Sequence, residues 1–157
     1  MQDENNSTPL HWAVNHKSKE VVEILCAFGA DTNIINTDNL TPLYYTLKHE
    51  TQEIVEILCK HGANVNSFNI NNSILNWSAI INNTLVAKVL CAYGADANMK
   101  RDDGIAPLHI AVKNNNKELA EILIAHGANV NTLDNNNSTI LHWSIINKSS
   151  SVAEVLC

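Results

Sequence analysis

Apolar and polar positions in the chain alternate in short helical patterns broken by polar turns, with no long apolar run. Thr41-Pro42-Leu43 opens one such pattern. The threonine suits a helix N-cap and the proline a first turn, where its missing N–H would be unpaired anyway. Leu43 and Leu47, four apart, place one apolar stripe on a first helix of about two turns, which must stop near Lys48-His49-Glu50 for the chain to reverse. A second helix is expected from about Gln52 to His61, with Ile54, Val55, Ile57 and Leu58 inside and Glu53, Glu56 and Lys60 outside. Gly62 ends it, because the residue after a helix often takes positive φ, which costs a residue with a Cβ about 1 kcal/mol or more. Isolated helices under about 12 residues are marginal in water, so stacking on neighbours must supply the stability.

The pattern repeats. Gly29-Ala30-Asp31, Gly62-Ala63-Asn64, Gly94-Ala95-Asp96 and Gly127-Ala128-Asn129 have glycines 33, 32 and 33 residues apart. Leu10, Leu43, Leu75 and Leu108 each stand 19 residues before a glycine, and Leu141 continues the series. The single slip lies between Gly62 and Ser73, where the third unit is one residue shorter, in a stretch that reads as a loop. The units run over approximately 3–35, 36–67, 68–100, 101–133 and 134–157, the last one truncated.

Thr8-Pro9-Leu10-His11-Trp12-Ala13, Thr41-Pro42-Leu43 and Ala106-Pro107-Leu108-His109-Ile110-Ala111, each followed by Gly-Ala-Asp/Asn, resemble the ankyrin repeat, and Thr139-Ile140-Leu141-His142-Trp143-Ser144 carries the first motif again. The resemblance covers nearly the whole chain. It implies an all-α solenoid of stacked helix-turn-helix units with β-hairpin or turn connections, partners held across finger tips and first helices, and no shared catalytic residue. The chain departs from the family pattern at several points. Ser73-Ile74 and Thr139-Ile140 lack the proline, Tyr44 and Asn76 replace the histidine, and Lys17, Glu50 and Asn115 replace a mid-repeat glycine. These departures are expected to weaken single turns and to leave the architecture intact.

Composition narrows the function. A net charge of -6 and no basic cluster argue against a nucleic-acid surface, since that affinity rests on Lys and Arg neutralising phosphates. No apolar run approaches the roughly 18 residues of a spanning helix, and the polar start is no signal peptide, so a cytoplasmic or nuclear setting without membrane insertion is expected. Asn runs such as 114–116 and 135–137 read as solvated turns, and the Asn-x-Ser/Thr triplets at Asn71 and Asn82 as products of that bias.

Residues that could suggest chemistry share repeat positions instead. Cys26, Cys59, Cys91 and Cys157 each stand sixteen residues after the unit's leucine, where Ile124 fills the fourth unit, so they read as buried small hydrophobes. Helices in a stack lie about 8–10 Å apart, beyond disulfide reach. His11, His109 and His142 share the position after the leucine, for which the family resemblance implies hydrogen bonds between repeats. Trp12, Trp77 and Trp143 align with Tyr45 and Ile110 as a half-buried packing ladder. Asp102-Asp103 falls at a hairpin tip with no pocket in view. No metal, cofactor or enzymatic activity is expected.

Carrying the family's contact positions over gives finger-tip candidates Thr37, Asp38, Leu40, Asn69, Ile70, Asn72, Asp102, Asp103, Ile105, Asn135 and Asn136. The first-helix candidates are Lys48, His49, Ile80, Ile81, Lys113, Asn114, Ile146 and Asn147. Ile80, Ile81 and Ile146 stand out as apolar residues where other units place Lys, Asn or His. Ile81 is read equally as interface or as packing under the shortened loop. The expected function is a monomeric, non-catalytic scaffold or adaptor that binds another protein. The alternative is a regulatory or targeting region of a larger enzyme or membrane protein, since Val152, Val155 and Leu156 keep the interior pattern and a fragment of a longer protein is expected.

Overall fold

The computed structural model describes residues 2–48, 51–69 and 72–156. Helices come in pairs along the chain: α1 (Pro9–Asn15) and α2 (Lys19–Ala27); α3 (Pro42–Tyr45), continued by a 3₁₀ turn over Thr46–Lys48, and α4 (Gln52–Lys60). They continue as α5 (Ile74–Ile80) and α6 (Thr84–Ala92), α7 (Pro107–Lys113) and α8 (Lys117–Ala125), and α9 (Ile140–Ile146) and α10 (Ser150–Leu156). Second helices pack in a row from α2 to α10, while α1 packs on α3, α5 on α7 and α7 on α9. The result is an all-α solenoid. Among the described residues no helix is long and apolar enough to cross a membrane.

The apolar stripe of each unit fills the space between layers. All four inward positions predicted for α4 are buried, and Leu10, Leu43, Leu75 and Leu108 are each 1% exposed. Burying a leucine in this way contributes about 1.5–3 kcal/mol. Leu141, fifth in the series, is 45% exposed, with no further helix pair over it among the described residues. Cys26, Cys59 and Cys91 lie buried as free thiols in the same packing position, and Cys157 falls outside the described residues.

Turn chemistry follows the sequence with two departures. Gly62 and its three equivalents take φ between +80° and +86° after their helices. Lys17, Asn82, Asn115 and Lys148, between the two helices of a unit, hold φ of +49° to +57° although each carries a Cβ. At Thr8 and Thr139 the hydroxyl caps its helix and the histidine three residues on returns the bond to the cap N–H. Thr41 sits at the same position with extended backbone, but makes no side-chain cap. There the free Tyr44 N–H turns to the Thr41 carbonyl at 3.0 Å, and with a phenol in place of imidazole nothing returns to the Thr41 hydroxyl, which stays buried without a partner.

The fingers between units are tight turns. In four of them the first residue bonds across to the fifth, and a left-handed residue (Asn6, Asn39, Gly104 or Asn137) closes the loop. The shortened third finger differs: β1 (Phe68–Asn69) pairs antiparallel with β2 (Asn72–Ser73), Phe68 opposite Ser73 and Asn69 opposite Asn72.

Candidate partner-binding surface

The residue after each unit's leucine sews its layer to the next. The Nε2 of His11 lies 3.0 Å from the Leu40 carbonyl, while its Nδ1 accepts the Thr8 N–H. Tyr44 donates its phenol to the carbonyls of Ser67 at 3.0 Å and Asn72 at 3.1 Å, and Asn76 donates its amide to Met99 at 2.9 Å. Three chemically different donors thus reach main-chain carbonyls on the two sides of the following finger, His11 the far side, Asn76 the near side and Tyr44 both. Burial holds the imidazoles of His11 and His109 below the ordinary histidine pKa, and pushes the Tyr44 phenol up to about 12. Rings also meet across layers, with His11 edge-on to Tyr45 and His109 edge-on to Trp143.

A second seam runs along the glycine turns. Asn33 donates its amide to the Gly62 carbonyl at 2.9 Å and accepts the Asn64 N–H at 2.8 Å. Asn66 makes the same pair with Gly94 and Asp96, and Asn98 with Gly127 and Asn129. These asparagines are inter-layer staples, whereas the asparagine bias had read only as solvated turns. Their signal was present in the sequence: an asparagine stands four residues after each of these repeat glycines.

A family model for ankyrin repeats, described as three copies, matches residues 1–69 and again residues 70–157. The chain belongs to the ankyrin repeat family. No curated protein matches it. Ankyrin repeats are generally protein–protein interaction modules, so the surface of this array is where function is sought.

Six predicted contact residues of the ankyrin array come together in one groove. Thr37, Asp38 and Leu40 of the second finger, Lys48 at the end of the 3₁₀ turn, Asn69 of β1 and Ile81 after α5 line an open groove of about 760 Å³. Asn39, Tyr44, Leu47 and Trp77 complete it, and sequence reasoning did not assign these four to a contact surface. Ile81 is 43% exposed and lines this groove. A smaller hollow of about 150 Å³ gathers Ile80, Ile105, Lys113 and Asn114 with Arg101, Ile110 and Trp143.

Other candidates sit elsewhere. Asp102, Asp103, Asn135 and Asn136 are exposed on the fourth and fifth fingers, and Ile146, the last residue of α9, and Asn147 after it are exposed. His49 and Ile70 lie outside the described residues. Several side chains are already engaged within the fold. Asn114 donates to the Ala79 carbonyl, Asn135 to Asp102, Asn147 to Trp143, and Asp103 pairs with Arg101 at 3.2 Å.

Two expectations need correction. Asn69 and Asn72 are not exposed tip residues but buried ones, because losing one residue draws them into the paired strands. Ile80 is not freely exposed, since it packs against the core as the last residue of α5 and lines the smaller hollow with residues of the next unit. The tryptophan ladder is uneven as well, with Trp77 and Trp143 half-buried and Trp12 exposed.

Fingers are held by the same aromatic positions. Asp3 accepts the N–H groups of Asn5 and Ser7 with one oxygen and the Trp12 indole with the other; Asp134 does the same for Asn136, Ser138 and Trp143. The Trp12 bond first of all holds the Asp3 carboxyl below its usual pKa, whereas at Asp134 the Ser138 N–H has the larger effect. Asn36 reaches Tyr45 at the corresponding spacing of nine residues. Burial pushes the thiols of Cys59 and Cys91 up to about 11, which keeps them un-ionised near neutrality.

Proposed function

We propose that this ankyrin array is a non-catalytic scaffold or adaptor that holds a partner protein along the fingers and the exposed sides of the first helices. The observation that carries the reading is the groove at the second and third units, where the half-buried Leu40, Leu47 and Trp77 and the exposed Ile81 lie beside the charged Asp38 and Lys48. Apolar surface of this kind, rimmed by polar groups, is the usual mark of an interaction site. A stitched array is preorganised, so binding avoids the entropy cost of ordering loops. The free buried thiols favour a reducing compartment, the cytoplasm or nucleus.

The test is affinity capture with the purified chain, repeated with Ile81→Asp, followed by identification of the retained proteins. A partner retained by the native chain and lost with the variant is expected. Ile81→Asp should leave the melting midpoint within a degree or two, whereas Ile80→Asp should lower it markedly because that side chain packs on the core. Equal capture by both chains would remove the groove from the binding surface.

A further inference from the structure

We infer that the groove between the second and third units takes a peptide segment carrying a tryptophan or tyrosine beside a lysine or arginine. The inference rests on the partner-holding reading above and supplies the chemistry of the partner.

The size and walls of the groove call for a bulky apolar side chain. Leu40, Leu47, Trp77, Ile81 and the Tyr44 ring form the apolar walls of the open groove of about 760 Å³, room for a large aromatic group together with the backbone that carries it. An aliphatic residue would satisfy these walls but not what lies among them.

Asn69 decides between aromatic and aliphatic. It lines the groove, is only 5% exposed, and its side-chain oxygen has no donor. Buried acceptors in folded proteins are nearly always satisfied, so this amide calls for an N–H or O–H brought by an occupant. The amide meets such a group by turning toward the groove that it lines. Tryptophan and tyrosine are the side chains that pair a large apolar body with a donor at the tip. The side chains of phenylalanine, leucine and isoleucine bring no donor to that oxygen.

Charge sets the flanking residue and the direction of the segment. Asp38 is exposed on the finger rim and its carboxylate has no side-chain partner among the described residues. The ammonium of Lys48, on the helix side, lies 4.7 Å from the centre of the Tyr45 ring. A cationic residue of the partner therefore faces the fingers, and acidic groups face Lys48. With a net charge of -6, the chain as a whole also draws cationic segments toward it.

The experiment is a selection from a random peptide library on the full chain, with counter-selection on Ile81→Asp, followed by anisotropy titrations of labelled hits. Enriched peptides should pair Trp or Tyr with Lys or Arg. Asp38→Lys should weaken them about tenfold or more, and replacing the peptide's basic residue with glutamate should restore binding to that variant. Methylating the indole nitrogen of a tryptophan peptide should weaken binding to the native chain. The methylated peptide reads the Asn69 contact without altering the protein, and Asn69→Leu should bind methylated and unmethylated peptides equally. Enrichment of acidic or purely aliphatic peptides, indifference to methylation, or no sequence dependent on Ile81 would overturn the inference. Peptides lost on Ile146→Asp and kept on Ile81→Asp would also overturn it, while leaving the array a partner-holding module.

Discussion

The phenol of Tyr44 donates to the main-chain carbonyl of Ser67 at 3.0 Å, carrying the tie between the second and third layers at the position where the first unit uses His11. Tyr44→Phe removes the donor and leaves buried carbonyls short of a partner. It should lower the unfolding free energy by about 1 kcal/mol in urea titrations. Tyr44→His should recover most of that loss, since the His11 imidazole reaches the carbonyl of Leu40, the counterpart of the Asn72 carbonyl to which Tyr44 also donates. A phenylalanine variant as stable as the native chain would show that the bond contributes nothing net.

The two Thr-Pro-Leu motifs should respond oppositely to the same change. The Thr8 hydroxyl caps α1 within a reciprocal pair with His11, so Thr8→Val should cost about 1 kcal/mol. The Thr41 hydroxyl is buried without a partner, so Thr41→Val should be neutral or stabilising by up to about 1 kcal/mol. Equal losses in the two variants, by thermal or urea unfolding, would contradict the difference in capping.

Lys17 and Lys148 hold left-handed backbone at φ +57° and +54°, where a Cβ is strained and glycine is not. Lys17→Gly and Lys148→Gly should each raise stability by about 1 kcal/mol, or a melting midpoint rise of about 2–4 °C. The two sites lie in different layers, so the gains should add. A fall in midpoint in either variant would show that the lysine side chain contributes more than the strain removes.

Acid should weaken the fold in two stages. Burial depresses the folded-state pKa of His11 and His109 below the ordinary 6.5, so the unfolded chain takes up these protons first. Their neutral form carries no penalty above pH 6.5; stability falls as pH drops below that value and levels off at the folded pKa. Asp3 and Asp134, held below the usual 3.8 by hydrogen bonds, stabilise the fold above that pH and lose their contribution as pH falls on through their folded values. Urea midpoints measured across this range should decline in that order. A midpoint that rises on acidification below pH 6.5 would reverse the sign assigned to the histidines.

The site was less legible than the fold. Ile81 and Asp38 could be named because they occupy repeat positions that differ between units, while Asn69 was named as a tip residue and proved to be buried in a strand pair. Trp77 and Leu47 went unassigned as contacts because, along one helix, a residue facing the core and one facing an open groove share the same apolar character. Asn33, Asn66 and Asn98 are as regular as the leucines, but a polar residue in a turn does not reveal whether its amide meets water or the next layer.

Local chemistry was enough to determine the repeat length, the helix limits and the inner stripe of this chain. Those depend on interactions within one unit: glycine at positive φ, proline in a first turn, and apolar residues three and four apart. What lies between units was decided only by the tertiary structure. Whether Tyr44 substitutes for a histidine, whether Thr41 caps, and whether Ile80 or Ile81 faces out depend on how two layers approach. That approach brings together residues about thirty apart in sequence, whose pairing carries no local periodic signal.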